Sequence, residues 1–227
     1  MTTAPDTVRI AGTPSLSGMN YVYARVTDAD GDPAWRIFTF YVAGGPGTLV
    51  EADLRGTDPA LHTPWTPTYA LGASVGSYSG LQLGPGALPA AGNDALTFTV
   101  SAPPTMSTLA EAVQDGEYVA LTVQAAAGSS LNLRQGELRF TIDRVDYHSP
   151  RSYAVFTSVG GFAAGQEVFV SPQVWETGEP REFSIPLPDE AAYEGLTGPE
   201  IRIYGEGAQY DGHRIRLTGL KLRARIP

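Results

Sequence analysis

Cysteine is missing altogether from the 227 residues, which excludes disulfides, thiolate metal sites and cysteine nucleophiles. Lysine occurs once, as Lys221, against 14 arginines, and the formal net charge is −9. Binding a nucleic-acid backbone needs a basic face that releases counterions, so no nucleic-acid partner is expected. No apolar run approaches the ~18 residues of a membrane span, and no membrane insertion is expected. Histidines are scarce and scattered at 62, 148 and 213, with no pair at metal-ligand spacing. No phosphate-binding loop, dinucleotide fingerprint or paired-carboxylate motif can be recognised. Met1-Thr2-Thr3-Ala4-Pro5-Asp6 has neither the basic start nor the apolar core of a secretory signal. An export signal is therefore expected to have been removed, or never to have been needed.

What is present is apolar material, at 42%, with Gly (26) and Pro (18) making up about a fifth of the chain. That composition supports a packed core served by many tight turns. The apolar residues alternate. Val119, Leu121 and Val123 alternate with Ala120 and Thr122, Leu138, Phe140 and Ile142 with Arg139 and Thr141, and Ile201 and Ile203 with Arg202. A period of two marks strands with one buried and one wet face. Short runs of this kind between Gly, Pro, Asp and Ser clusters predict an all-β, antiparallel β-sandwich. Strands are expected near 118–124, 131–142, 152–158, 166–171, 182–187, 199–205 and 213–225. One short helix is expected over Ser107–Val113, with Ser107 as its cap and Asp115-Gly116 as its stop. Residues 55–94 read as long loops holding one short strand around Leu81-Gln82-Leu83.

Near the start, Tyr21–Thr27 and Trp35–Val42 flank Asp28-Ala29-Asp30-Gly31-Asp32, a hairpin signal. With Gly12-Thr13-Pro14, Gly18 and the run Tyr21–Gly31, this segment resembles the closing half of a bacterial immunoglobulin-like repeat. The opening strands of such a repeat are lacking, which leaves strand edges that must pair with something. Gly44-Gly45-Pro46-Gly47 reads as a hinge, dividing a partial immunoglobulin-like segment (1–44) from a larger sandwich (48–227).

From Ala110 onward the chain resembles a jelly-roll-like β-sandwich domain of exported bacterial proteins, often found beside a sorting tail. The carrying residues are Asp115-Gly116-Glu117-Tyr118-Val119, Leu131-Asn132-Leu133, Ser152–Phe162, Ile201–Ala208 and Arg214–Leu220. The chain departs from that family in ending at Pro227 with no apolar sorting helix. Some members look like carbohydrate-binding modules. The resemblance therefore implies an extracellular or cell-surface module with a carbohydrate-binding or adhesive role and no assigned reaction.

Few residues suggest chemistry. Gly72-Ala73-Ser74-Val75-Gly76 has the spacing of a nucleophile elbow, but that motif needs a following helix, and Gly-Ser-Tyr-Ser-Gly follows instead. Asp28, Asp30 and Asp32 could present oxygens to calcium, yet the Gly and Glu positions of an EF-hand loop are not met, and a solvated turn is the simpler reading. No enzyme activity, no metal and no cofactor is expected. Exposed rings are a better lead, because sugar C–H groups pack on aromatic faces while polar neighbours bond the hydroxyls. Trp65, Trp175, Tyr210, Asp211 and His213 are the carbohydrate-binding candidates, with Glu206 close by in sequence. Tyr118, Tyr153, Phe156 and Tyr204 fall on strands as core or cross-strand partners. Arg214, Arg216, Lys221, Arg223 and Arg225 alternate with aliphatics, and read as the charged wet face of an edge strand, the alternative being a basic stripe for anionic glycans or an acidic partner chain. The expected partners are a polysaccharide or surface glycan, or copies of the chain itself as a homo-oligomer. The alternative function is a structural subunit of a filament, layer or virion assembled through the N-terminal strands.

Overall fold

The structure is a computed structural model, and it describes residues 18–27, 33–42, 47–54, 68–71, 75–90, 96–100, 106–210 and 213–224. The chain divides into two compact units, Met1–Pro46 and Gly47–Pro227. In the first, β1 (Gly18–Thr27) and β2 (Pro33–Val42) form an antiparallel ribbon whose register runs from Gly18 opposite Val42 to Thr27 opposite Pro33. The Asp28, Asp30 and Asp32 turn lies outside the described residues.

The second unit is an antiparallel β-sandwich. Its strands are β3 (Thr48–Asp53), β4 (Thr68–Leu71), β5 (Val75–Leu83), β6 (Leu88–Pro89), β7 (Leu96–Val100), β8 (Tyr118–Ala125), β9 (Glu137–Arg144), β10 (Ser152–Thr157), β11 (Phe169–Val170), β12 (Arg181–Pro186), β13 (Glu200–Glu206) and β14 (His213–Arg223). One layer runs β11-β10-β13-β8-β5. The other runs β12-β9-β14-β3-β4, with β7 also on β14 and β6 on β7. Between them lies one core, to which β8 gives Val119, Leu121 and Val123, β9 gives Leu138, Phe140 and Ile142, β13 gives Ile201 and Ile203, and β14 gives Ile215, Leu217, Leu220 and Leu222. The alternation read in the sequence is this inward face.

β14 corrects the sequence reading. It is no edge strand. β9 pairs along its whole length on one side, while β7 pairs with His213–Leu217 and β3 with Gly219–Arg223 on the other. Three of its outward charges are answered by carboxylates on neighbouring strands rather than turned against intruding strands. Arg216 meets Asp143 at 3.1 Å, Lys221 meets Glu51 at 3.1 Å and Arg223 meets Glu137 at 3.5 Å.

The region expected to be loops around one short strand at Leu81-Gln82-Leu83 holds that strand, extended back to Val75 as β5, together with β4 and β6. β5 escapes a period-two reading because its register shifts twice against β8, between Val75 and Ser77 and again between Tyr78 and Leu81. Ser74 lies outside the described residues, but the chain runs from Val75 into a strand, not the helix a nucleophile elbow requires. The expected strand over 131–142 is a single bridge at Leu131 followed by β9, because Asn132–Gly136 forms a turn.

The helix, α1 (Leu109–Asp115), lies two residues later than the expected Ser107–Val113. Thr108, not Ser107, is its cap. Thr108-Leu109-Ala110-Glu111 has the capping-box spacing, with Glu111 N–H donating to Thr108 Oγ1 at 3.3 Å and Thr108 N–H donating to Glu111 Oε2 at 2.7 Å. Ser107 is held extended instead: its N–H donates to the Ala208 carbonyl, and its hydroxyl accepts from Ala208 N–H. Gly116 closes the helix at φ 72°, a left-handed conformation suited to glycine. α1 lies on the outer face of the smaller sheet, where Ala112, Ala154, Phe156 and Tyr204 make a second buried cluster.

Candidate functional site

Three loops meet at the end of the sandwich where β9 and β13 finish and β10 and β14 begin. They are residues 145–151, 171–180 and 207–212, the last described as far as Tyr210. The backbones of the first two are pinned from below by Arg144, which is 1% exposed at the end of β9. Its Nη1 donates to the Trp175 carbonyl at 2.7 Å, and its Nη2 to the carbonyls of Tyr147 at 2.6 Å and Ser149 at 3.1 Å. Burial is the main force on this guanidinium, and it holds the pKa below the ordinary arginine value. Further bonds tie the loops together: Val174 N–H donates to the Arg151 carbonyl, Gln209 N–H to the His148 carbonyl and Ser149 Oγ to the Arg214 carbonyl.

Rings stand on this platform. Tyr147, Trp175 and Tyr210 are 61%, 55% and 53% exposed. Between Trp175 and Tyr147 sits the Arg151 guanidinium, 4.5 Å and 5.4 Å from the two ring centroids. Next to Tyr147, His148 packs edge-on at 5.2 Å, and it also contacts Tyr210 at 5.3 Å and His213 at 5.1 Å. A continuous strip of rings and guanidinium thus runs from Trp175 to Tyr210. Tyr210 adopts φ 67°, which non-glycine residues occupy at a cost of order 1 kcal/mol or more, so its surroundings over-determine its position.

Hydrogen-bonding groups border the strip. His213 Nδ1 lies 2.8 Å from Asp146 Oδ1, and His148 Nδ1 lies 3.1 Å from Gln209 Oε1. Burial works to raise the Asp146 carboxyl, but His213 and the hydrogen bonds around it outweigh that and hold it below its usual value. Glu206 Oε1 accepts from Ser152 Oγ at 2.7 Å at the same end.

Of the residues singled out from sequence, Trp175, Tyr210 and His213 come together here. Asp211 and Trp65 lie outside the described residues. Sequence reasoning missed Tyr147, His148, Arg144 and Arg151. The signal was Tyr147-His148-Ser149-Pro150-Arg151, where two rings and a guanidinium crowd one five-residue turn between two patterned strands.

A concavity of about 590 Å³ lies on the outer face of the larger sheet and is lined by Glu51, Arg139, Thr141, Glu182, Thr218 and Lys221. Its charges answer one another, with Lys221 on Glu51 and Arg139 3.8 Å from Glu182 and 2.8 Å from Glu137. The loop end differs in displaying rings and in leaving cations without carboxylates. Among the described residues no group of three or more His, Asp or Glu is placed to hold a metal ion, and no helix is long and apolar enough to cross a membrane.

No family model matches the chain, and no curated protein matches it. Among solved structures the chain is similar to a xylan-binding module, at 12% identity and a TM-score of 0.41, over 78% of this chain and 97% of that one. It is also similar to the K3 cleaved adhesin domain of Lys-gingipain from Porphyromonas gingivalis, at 15% identity and a TM-score of 0.35, over 60% and 76% of the two chains. A third is a module from Caldicellulosiruptor saccharolyticus in complex with mannohexaose, at 13% identity and a TM-score of 0.36, over 70% and 90%.

Proposed function

We propose that residues 47–227 form a non-catalytic module that binds glycan through the ring-lined loop end, working outside the cell or on its surface. The carrying observation is that Tyr147, Trp175 and Tyr210 reach the surface from three different loops, two of them anchored on buried Arg144 and the third on buried Ser107. Large apolar rings left in water at fixed positions suit the C–H faces of sugars, and the bordering His, Asp and Gln groups suit their hydroxyls. Pre-anchoring lowers the ordering cost of binding.

Affinity electrophoresis through gels containing plant and microbial polysaccharides tests this. At least one polysaccharide should retard the protein. Trp175→Ala should weaken that binding about 30-fold, as expected for a ring at the centre of a contact, while Tm stays within about 2 °C. Unretarded migration in every gel, or unchanged binding by the variant, would sink the reading.

A second reading is assembly with copies of itself, favoured by β1 and β2. Each has one edge unpaired among the described residues, and a two-stranded ribbon alone is marginally stable. Light scattering behind gel filtration should then show an oligomer that becomes monomeric on deletion of residues 1–46. A monomer before and after deletion would remove this reading.

A further inference from the structure

We propose that the ring-lined end selects an acidic saccharide, whose carboxylate or sulfate group is received by Arg151 while its sugar rings lie on Trp175 and Tyr147. This inference rests on the glycan-binding reading above and goes further by naming the ligand's charge.

The observation behind it is a mismatch in ion pairing. The chain carries an excess of acids, and six arginines of this unit are matched to them. Arg134 pairs with Asp189, Arg139 with Glu137, Arg181 with Glu176, Arg202 with Glu200, Arg216 with Asp143 and Arg223 with Glu137. Arg144 and Arg151, both buried, pair with no carboxylate among the described residues. Arg144 spends its guanidinium on backbone carbonyls, so its charge is solvated but not neutralised. Arg151 is 7% exposed, its Nε has no hydrogen-bond partner, and its Nη1 reaches only Met106 Sδ at 3.8 Å.

Two neighbouring buried cations with no carboxylate in ion-pair contact are costly, because desolvation and mutual repulsion act in the same direction and the more distant Asp146 offsets only part of them at Arg144. The ring faces of Trp175 and Tyr147 offset part of that cost for Arg151. The nearby acids are already engaged. Asp146 Oδ1 accepts from His148 N–H and faces His213 Nδ1, while Glu206 Oε1 accepts from Ser152 Oγ. A missing anion is the simplest completion of this arrangement. Guanidinium and carboxylate meet edge to edge through parallel N–H···O bonds, and the Arg151 guanidinium carbon already lies 4.5 Å and 5.4 Å from the Trp175 and Tyr147 ring centroids. A sugar acid brings its charge beside a ring-stacking body, and both halves then have a partner here.

The test is calorimetric titration of the full chain with neutral xylo- and manno-oligosaccharides, an oligogalacturonide and a sulfated oligosaccharide of matched length, and with inorganic sulfate alone. At least one charged oligomer should bind about tenfold or more tighter than the neutral ones, with an affinity that falls as salt rises. Which charged oligomer prevails decides between carboxylate and sulfate. Arg151→Met should erase the preference while keeping residual affinity for the stacked sugar. Should that variant unfold, the salt dependence of the unaltered chain decides instead. Equal affinity for neutral and charged oligomers overturns the inference and leaves the glycan-binding reading standing. Inorganic sulfate binding as tightly as the best oligomer overturns the saccharide part. No binding by any saccharide overturns both.

Discussion

Replacing Arg144 with Met is expected to cost about 3–5 kcal/mol of stability, or roughly 10 °C in Tm for a unit of this size. Methionine fills much of the same volume, so the loss is not mainly a cavity. It comes from the carbonyls of Trp175, Tyr147 and Ser149, which lose a shared charged donor, the Ser149 carbonyl in a buried place and the other two in part-buried ones. Chemical denaturation followed by tryptophan fluorescence would measure it, and Trp175 itself should report the change. Arg144→Lys should recover only part, since one ammonium cannot span three carbonyls set in a planar fork. Because the same carbonyls hold the loops that carry the rings, Arg144→Met should also weaken ligand binding at temperatures where the protein is still folded. A cost under 1 kcal/mol would mean that the loops are held by something else.

Phe156→Ala should be comparably severe, at about 3–5 kcal/mol. Phe156 is fully buried on the outer face of the smaller sheet, with its ring edge-on to Tyr204 at 5.1 Å. With Ala112, Ala154 and Tyr204 it forms the cluster beneath α1, flanked by Leu109 and Val113. The cavity would open directly under the helix. Hydrogen exchange should therefore show α1 amides losing protection before those of β9 and β14, which face a separate core. Phe156→Leu, which keeps most of the apolar contact, should cost about 1 kcal/mol. Uniform loss of protection across both layers would show that the helix cluster is not an independent unit of stability.

The sandwich was legible because alternation records a strand's two faces wherever one of them is buried. Leu138, Phe140 and Ile142 show it, as do Ile201 and Ile203. What alternation cannot record is the neighbour. β14 has the same charged outer face whether it borders solvent or sits between salt-bridged strands, and only the carboxylates of Asp143, Glu51 and Glu137 tell the two apart. Those partners are distant in sequence, and Glu51 lies 170 residues from Lys221. The same limit governs the site. Exposed rings at Trp175 and Tyr210 could be named one at a time, but their convergence depends on Arg151 and His148 in another loop. His148 is 61 residues from its partner Gln209. The helix start was misplaced for a local reason: Ser107 and Thr108 are both good caps, and only Thr108 has a glutamate three residues on.

The position of β14 has a consequence for biosynthesis. It is the last strand of the unit in chain order, yet β9, β3 and β7 all hydrogen-bond to it. On a ribosome, those earlier strands must wait with open edges until residues 213–223 emerge from the exit tunnel. This layer therefore cannot close before β14 has emerged, and its closure is slowed by the joining of very long loops. In the interval the nascent chain is most exposed to chaperones and to aggregation.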